Sequence, residues 1–394
     1  MADLSRFLDP PRLRTVEEGF EEGFEERHAT WLELFFDLVF VVAVAELGQN
    51  LTHDPTLGGF LPYVGLFIPV VWAWSGFTFY ANRFDTDDLA YRLLILLAMF
   101  AVAVLATNTP NATENGGRAF ALSYVLVRLV LLALYARAIR FVPRARPLAV
   151  LYFRAFSFGT VLWLVSVLVP PPGRYWLWAV ALLVEMTVPF FAWGRLPGAA
   201  VDPRHLPERF GLFTIIVLGE SVLSVVLGVA DTTWEVDSGF AAAGGFVVAA
   251  ALWWIYFDFL DESIVRRGRT EGLVFTYAHF PVLIGIATVG VGVKLEILAA
   301  AGEERYQDTG WILCAGVAIC MVGLAAIHLA TPPMLLDVDV AMRFATAALA
   351  LVLLAFSFAL PPLVLVWALA GLLVAEVVVE LAGHESHSVS GLDV

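Results

Sequence analysis

Long apolar segments recur along the whole chain and are separated by short breaks rich in proline, glycine and charged residues. A helix needs about 20 apolar residues to cross the hydrocarbon core of a bilayer. Breaks such as PPPG at 170–173 are typical of turns. The pattern predicts an all-α, polytopic transmembrane helical bundle of about 12 spans. The predicted spans are 31–50, 60–80, 90–107, 119–139, 149–169, 175–193, 209–230, 240–260, 273–297, 310–330, 341–358 and 361–380.

The last two spans belong to one apolar run, 341–380, which only Pro361 and Pro362 interrupt. Proline removes a backbone donor and clashes with the preceding helical turn, so it ends or kinks a helix. The run therefore forms either one kinked helix or two spans, and the sequence leaves both open.

The composition agrees with a membrane protein and excludes other classes. Hydrophobic residues make up 60% of the 394 residues and charged residues 15%, whereas soluble proteins carry about 25% charged residues. The net charge of −14 disfavours binding to nucleic acid. The sequence has no Gly-x-x-x-x-Gly-Lys phosphate loop, which argues against ATP-driven transport, and we expect no cofactor. The expected partners are the lipid bilayer and a small ion or small-molecule substrate.

Two halves of the chain repeat the same order of features. Each half opens on a segment with one acid near its start and a second acid deeper in the span, Glu33 and Glu46 in the first half and Glu208 and Glu220 in the second. An aromatic run and then an acidic loop follow in both halves. The aromatic runs are 72–80 (WAWSGFTFY) and 252–259 (LWWIYFDF).

This matching order predicts two parallel six-helix repeats between polar tails, with a site near the midplane where the halves meet. The predicted boundaries are 1–28 for a cytoplasmic polar tail, 29–195 for the first repeat, 205–382 for the second, and 383–394 for a disordered cytoplasmic tail. Cytoplasmic loops carry an excess of Lys and Arg. With the N-terminus inside, the outer side holds only Arg118, Arg174, Lys294 and Arg305. We therefore expect a multi-pass protein of the cytoplasmic membrane with both termini in the cytoplasm.

Several ionisable residues lie inside the predicted spans. A charge at the bilayer centre costs about 2.5–3.5 kcal/mol on insertion scales, so such residues face the bundle interior and mark ion or substrate pathways. The pathway candidates are Glu33, Asp37 and Glu46 in the first span, Arg128 in the fourth, Glu185 in the sixth, Glu208 and Glu220 in the seventh, and His279 in the ninth. His279 either relays protons or hydrogen-bonds to a neighbouring helix. Glu376 and Glu380 lie near the end of the last span.

The spacing of these residues suggests partners. Glu33 and Asp37 are four residues apart and share a helix face. Two carboxylates on one face repel, so one is protonated or both meet a cation or an arginine. Arg128 lies too deep in its span to reach the surface, and either Glu185 or Glu220 is a plausible counter-ion.

Acidic clusters in two predicted inner loops allow a different function. The acids are Asp85, Asp87 and Asp88 in the first loop and Asp258, Asp261 and Glu262 around the second. Hard cations prefer carboxylate oxygens, and the clusters faintly resemble the aspartate-rich motifs with which UbiA-type membrane prenyltransferases hold magnesium diphosphate. The spacing matches poorly, and solvated loop acids are the ordinary explanation. The clusters are therefore weak metal-site candidates.

Two apolar segments that contain acids resemble the bacterial low temperature requirement A (LtrA) family. The first is 30–42, TWLELFFDLVFVV, which is similar to that family's opening motif, and the second is 208–221, ERFGLFTIIVLGES. The length, the many spans and the positions of both segments fit the family along nearly the whole chain. The resemblance implies a multi-pass membrane protein connected by name with growth in the cold, and it brings no settled reaction, substrate or catalytic residue.

Three functional hypotheses follow. The leading one is a secondary transporter or an ion or proton pathway that uses intramembrane carboxylates, Asp37 and Glu220 first among them. The second is a membrane-embedded enzyme that acts on a lipid or isoprenoid diphosphate at the inner face through the acidic loops. The third is a non-catalytic membrane component for growth in the cold, in which Arg128 and the acids are all paired internally. The oligomeric state does not follow from the sequence.

Overall fold

Twelve long α-helices make up most of the residues that the computed structural model describes, which are 10–13, 29–192, 196, 202, 204–232, 235–259, 269–330 and 338–390. Two-residue strands β1 (Arg12–Leu13) and β2 (Phe84–Asp85) pair in antiparallel fashion. The helices are α1 (Trp31–His53), α2 (Leu57–Arg83), α3 (Leu89–Thr107), α4 (Gly117–Phe141), α5 (Arg146–Ser166), α6 (Gly173–Ala192), α7 (His205–Ala230), α8 (Val236–Phe259), α9 (Arg269–Ala300), α10 (Gly310–Leu329), α11 (Val338–Phe356) and α12 (Pro362–Ser390).

The described helices confirm the polytopic helical bundle. Eleven of them, α2 to α12, are long and apolar enough to cross a membrane. The remaining helix, α1, has 23 residues and carries three acids along its length. Large apolar side chains cover much of the protein surface, which suits contact with lipid. Trp31 and Trp176, which are 88% and 71% exposed, lie in the first turns of α1 and α6, as is typical of residues at a membrane interface.

The run 341–380 contains two helices. α11 ends at Phe356, a short 3-10 turn covers Ser357–Ala359, and α12 begins at Pro362. Proline fits the first position of a helix because the backbone N–H that it lacks would have no intrahelical acceptor there. α12 continues to Ser390, into the segment that the sequence assigns to a tail.

One compact unit, unit 1, comprises Met1–Leu47 and Gly65–Leu212. Within it α3 packs on α4, α4 on α5 and α5 on α6, so consecutive helices are neighbours. Its core is rich in aromatic rings. Trp163 stacks on Trp178 with ring centroids 4.8 Å apart. Such stacked pairs add to the stabilisation from burial of apolar area.

The other compact unit, unit 2, comprises Gly48–Val64 and Phe213–Val394. Its central helix is α9, which is almost entirely buried and contacts α8, α10 and α12. Glycines allow α9 and α10 to approach closely. A methyl group on Gly285 would lie 2.5 Å from the backbone nitrogen of Cys320, and one on Gly316 would lie 2.7 Å from that of Val289. Small residues are typical of such close helix contacts in membranes.

The two six-helix repeats, 29–195 and 205–382, stay a prediction. Twelve described helices agree in number with two sets of six. The boundaries of the compact units fall inside α1, α2 and α7, so these units do not coincide with the predicted repeats.

Candidate functional site

A buried charge cluster joins the start of α1 to the start of α7 within unit 1. This Asp37 cluster consists of Glu33, Asp37, His205, Glu208 and Arg209. Nη2 of Arg209 donates to Oδ1 of Asp37, and its Nη1 lies 3.2 Å from Oε1 of Glu33. Asp37 is 0% and Arg209 1% exposed, so their ion pair is shielded from solvent. Of the partners predicted for Glu33 and Asp37, the structure provides the arginine.

Glu33 also fixes the beginning of α1. The backbone N–H and the hydroxyl of Thr30 donate to its Oε2 at 2.8 and 3.0 Å, and the N–H of Glu33 donates to Oγ1 of Thr30 at 3.3 Å. This reciprocal arrangement is a capping box. His205 lies between Glu33 and Glu208, with its ring nitrogens 3.5 and 3.4 Å from their carboxylate oxygens. The cluster therefore holds three carboxylates and one histidine with one arginine.

Two tryptophans of α2 hold two buried carboxylates. The indole N–H of Trp74 donates to Oδ1 of Asp37 at 2.7 Å, and that of Trp72 donates to Oε2 of Glu185 at 3.0 Å. Residues two positions apart on an α-helix point about 200° apart. Asp37 and Glu185 therefore lie on opposite sides of α2. The ring of Trp74 also meets that of Phe210 edge to face, with centroids 4.9 Å apart, which helps to orient the indole.

A second buried centre, the Glu185 cluster, consists of Trp72, Tyr124, Arg128 and Glu185. Nη2 of Arg128 lies 2.6 Å from Oε2 of Glu185 and also donates to the hydroxyl of Tyr124. Both charged side chains are 0% exposed. The guanidinium carbon lies 4.9 and 5.1 Å from the ring centroids of Tyr124 and Phe156. Of the two predicted counter-ions of Arg128, the structure selects Glu185.

The second carboxylate oxygen of Glu185 has no hydrogen-bond partner among the described residues and faces Gly159. A side chain at position 159 would occupy the place of this oxygen, so glycine makes room for the carboxylate. The cluster is nevertheless balanced in charge, because it contains one guanidinium and one carboxylate. Such one-to-one buried pairs fix the packing of the helices that carry them.

The remaining intramembrane candidates lie apart from these clusters. Glu46 and Glu220 are half-buried, and neither has an ion-pair or hydrogen-bond partner within the part of the chain that the structure describes. Glu220 belongs to unit 2 and is not a member of the Asp37 cluster. His279 is fully buried, and its Nε2 lies 2.9 Å from the hydroxyl of Tyr256 on α8. Of its two predicted roles, the geometry supports the hydrogen bond to a neighbouring helix.

Two of the loop acids, Asp87 and Asp88, have ordinary structural partners. Asp88 caps α3 by accepting from the N–H of Tyr91, and its Oδ2 lies 2.7 Å from Nη2 of Arg137. Asp87 pairs with Arg92 at 2.7 Å on the surface. Asp258 is exposed, Asp261 and Glu262 lie outside the described residues, and Asp85 is described only as part of β2. Among the described side chains, no group of three or more His, Cys, Asp or Glu could hold a metal ion.

Two arginines near the starts of predicted spans are buried ion-pair partners. Arg209 lies in α7, and Arg343, which is 1% exposed, lies in α11 with its Nη2 3.3 Å from Oε1 of Glu380. Two patterns in the sequence indicate buried charged groups of this kind. Acids four residues apart in an apolar helix require a positive partner, and Thr30 followed by Glu33 has the spacing of a capping box.

Comparison with known proteins agrees with the resemblance seen in the sequence. The chain matches the family model described as bacterial low temperature requirement A protein (LtrA) over residues 28–379. It is also 32% identical over 292 residues to an uncharacterized protein of Rhizobium meliloti (strain 1021), covering 69% of this chain and 70% of that protein. The region matched by the family model contains the Asp37 and Glu185 clusters, and the chain belongs to the bacterial low temperature requirement A (LtrA) family.

Proposed function

We propose that this LtrA family protein is a secondary transporter or ion pathway that carries a proton or a small cation, with the Asp37 cluster as its site. The observation that carries the proposal is the state of Asp37, which is 0% exposed, shares Arg209 with Glu33, and has an Oδ2 without a hydrogen-bond partner among the described residues. A buried carboxylate without compensation is strongly unfavourable. The cluster therefore favours the binding of a positive charge.

Asp37 is the residue in this cluster best placed to receive that charge. Its Oδ1 accepts from Trp74 and Arg209, whereas its Oδ2 is buried and has no hydrogen-bond partner among the described residues. His205 sits between two carboxylates of the same cluster. Histidine exchanges protons near neutral pH and is a common member of proton relays. The two groups together provide the chemistry of a proton-binding site.

We also propose that both termini lie on the cytoplasmic side of the cytoplasmic membrane. The distribution of arginine between the predicted loops supports this orientation. The Asp37 cluster would then lie toward the cytoplasmic ends of α1 and α7, since both helices begin at the cluster. Reporter fusions at each terminus test the orientation, because a reporter active only outside the cytoplasm must stay silent at both.

Flux through reconstituted protein tests the transport role. Proteoliposomes with a pH-sensitive dye inside receive imposed gradients of protons, sodium or potassium, and the wild type is compared with Asp37→Asn. The matched control is Asp87→Asn, the same change at a surface ion pair. We expect wild-type and control flux above that of empty liposomes, and the loss of this excess in Asp37→Asn because the amide binds no proton.

Wild-type flux equal to that of empty liposomes under every gradient would overturn the transport role. Wild-type flux that survives Asp37→Asn would instead remove Asp37 from the site. Loss of flux in Asp37→Asn supports the proposal only if the variant is folded, so its helix content is checked by circular dichroism.

The Glu185 cluster favours a second candidate function, a non-catalytic membrane component. Arg128 and Glu185 neutralise each other, and Trp72 and Tyr124 supply further hydrogen bonds to them. In a protein whose buried charges only stabilise helix packing, every buried charge would be neutralised by one partner in this way. The flux experiment separates the two candidates, since such a component gives no flux above the background.

A further inference from the structure

Unit 2 contains a buried charge cluster outside the site proposed above. Glu376 and Glu380 are four residues apart on α12 and are both 0% exposed. Nη2 of Arg343, on α11, lies 3.3 Å from Oε1 of Glu380. Nη1 of Arg343 contacts Nδ1 of His328 at the end of α10. Among the described residues, Arg343 therefore pairs with Glu380 and also acts on Glu376.

Glu376 is the carboxylate that has no ion pair with Arg343 among the described contacts, whereas Glu380 has one. Its oxygens make no hydrogen bond of standard geometry with the described residues, although the hydroxyl of Thr346 lies close enough to interact with the carboxyl group. All of these atoms are buried. Removing one partner from a buried ion pair costs about 3–5 kcal/mol because a charge is left uncompensated. A second carboxylate beside a single arginine is in the same position, so an ionised Glu376 would be strongly unfavourable.

We propose that Glu376 is a proton-binding site and that its carboxyl group is protonated in the resting protein, while Glu380 stays ionised beside Arg343. A protonated Glu376 is neutral and offers one O–H donor, and Thr346 on α11 provides a hydroxyl in the same buried region. The proposal does not rest on the function proposed above, because it concerns a bound proton at equilibrium in the other unit.

The surroundings of Glu376 make a proton the favoured ligand. The charged groups Arg343 and Asp339 of α11 act on Glu376, and Glu376 in turn acts on the thiol of Cys320 on α10. Asp339 adds further negative charge. A proton needs a single carboxylate oxygen, whereas a calcium ion takes about 6–8 oxygen ligands.

Infrared spectroscopy of the full chain in lipid nanodiscs at neutral pH tests this assignment. A protonated carboxyl group has a C=O stretching band that an ionised carboxylate lacks, and the band shifts in D2O. We expect the wild type minus Glu376→Gln difference spectrum to contain this band. Asp87→Asn, which removes a surface carboxylate paired with Arg92, is the control, and its difference spectrum should show only the bands of an ionised carboxylate. Addition of sodium or potassium chloride should leave the Glu376 band unchanged.

Three results would overturn the proposal. The band could be missing from the Glu376→Gln difference, which would mean that Glu376 is ionised. It could keep its frequency in Glu376→Asp, which would place the proton on a group other than Glu376. It could be replaced by carboxylate bands when salt is added, which would make the site a cation site. Glu376→Asp serves if the amide variant fails to fold, because the band should then move rather than vanish.

Discussion

Removing one partner from the Arg128–Glu185 pair should destabilise the protein far more than removing both. Arg128→Met leaves the carboxylate of Glu185 buried with the Trp72 N–H, at 3.0 Å, as its remaining donor within the described chain. Glu185→Leu leaves the guanidinium buried instead. The double substitution leaves neither charge, and its two apolar side chains suit a region in which both original residues are 0% exposed.

The structure sets the size of each effect. Loss of one partner of a buried pair costs about 3–5 kcal/mol, whereas replacement of both by apolar residues is often nearly neutral. Arg128→Met should lie at the upper end of this range. Glu185→Leu should lie at the lower end, because Arg128 keeps its contacts with the rings of Tyr124 and Phe156, and desolvated cation–π contacts are worth about 2 kcal/mol.

Unfolding in bicelles by added denaturing detergent, followed by circular dichroism, gives the four free energies of the double-mutant cycle. We expect a coupling energy of about 8 kcal/mol in magnitude, because single losses of about 5 and 3 kcal/mol disappear in a nearly neutral double variant, and this is far above the experimental scatter for independent sites. Additive single effects would show that the pair does not act as a unit and would refute the reasoning. The matched control is a cycle on the exposed pair Asp87–Arg92, in which surface solvation and screening should leave no measurable coupling.

Two further substitutions test the packing and the helix start. Gly285→Ala should lower the free energy of unfolding by about 1–3 kcal/mol because its methyl group meets the backbone of Cys320. The control Gly371→Ala should not lower it, because nothing lies within 4 Å of the added methyl group. Equal effects of the two substitutions would contradict the close approach of α9 and α10. Thr30→Val should cost about 1 kcal/mol because it removes the hydroxyl of the capping box. An unchanged unfolding midpoint for Thr30→Val would show that the capping box does not contribute to the stability of the protein.

The helices were predictable because the bilayer imposes a length. The predicted span 119–139 agrees with α4 within two residues, as does the predicted 310–330 with α10. The same rule could not decide whether 341–380 is one helix or two, since proline both kinks and ends helices. Local turn geometry at Ser357–Ala359 settles that point.

The charged sites were predictable in kind but not in partner. The spacing of Glu33 and Asp37 required a positive group, and Arg209 fills that role from 172 positions away from Asp37. Arg209 stands at the start of an apolar run, where a single sequence gives no means to distinguish a loop arginine from a buried one. The pairing of Arg128 with Glu185 was one of two alternatives, because depth in a span does not specify which helices are neighbours.

The aromatic runs mark the repeat in the sequence, but this pattern alone does not identify the hydrogen-bond donors that they contain. Trp72 and Trp74 have one indole N–H each, and a buried indole N–H normally finds an acceptor. Two such donors next to a span with buried acids could have indicated that α2 holds carboxylates on both sides. Only the three-dimensional structure shows that Asp37 and Glu185 are those acceptors.

Charge balance separates the buried clusters by function better than burial does. Glu185 and Asp37 are equally buried, yet Glu185 faces one arginine alone, whereas Asp37 shares Arg209 with Glu33. The Arg128–Glu185 pair needs no further charge, although Oε1 of Glu185 has no hydrogen-bond partner among the described residues. Under the proposed function, Asp37 takes up a proton or cation from outside, and the stability of its cluster then depends on the supply of that charge. If the proposed function holds, the double variant Arg128→Met/Glu185→Leu should therefore keep its flux, although Asp37→Asn loses it. Loss of flux in a stably folded double variant would show that balance does not mark a structural role.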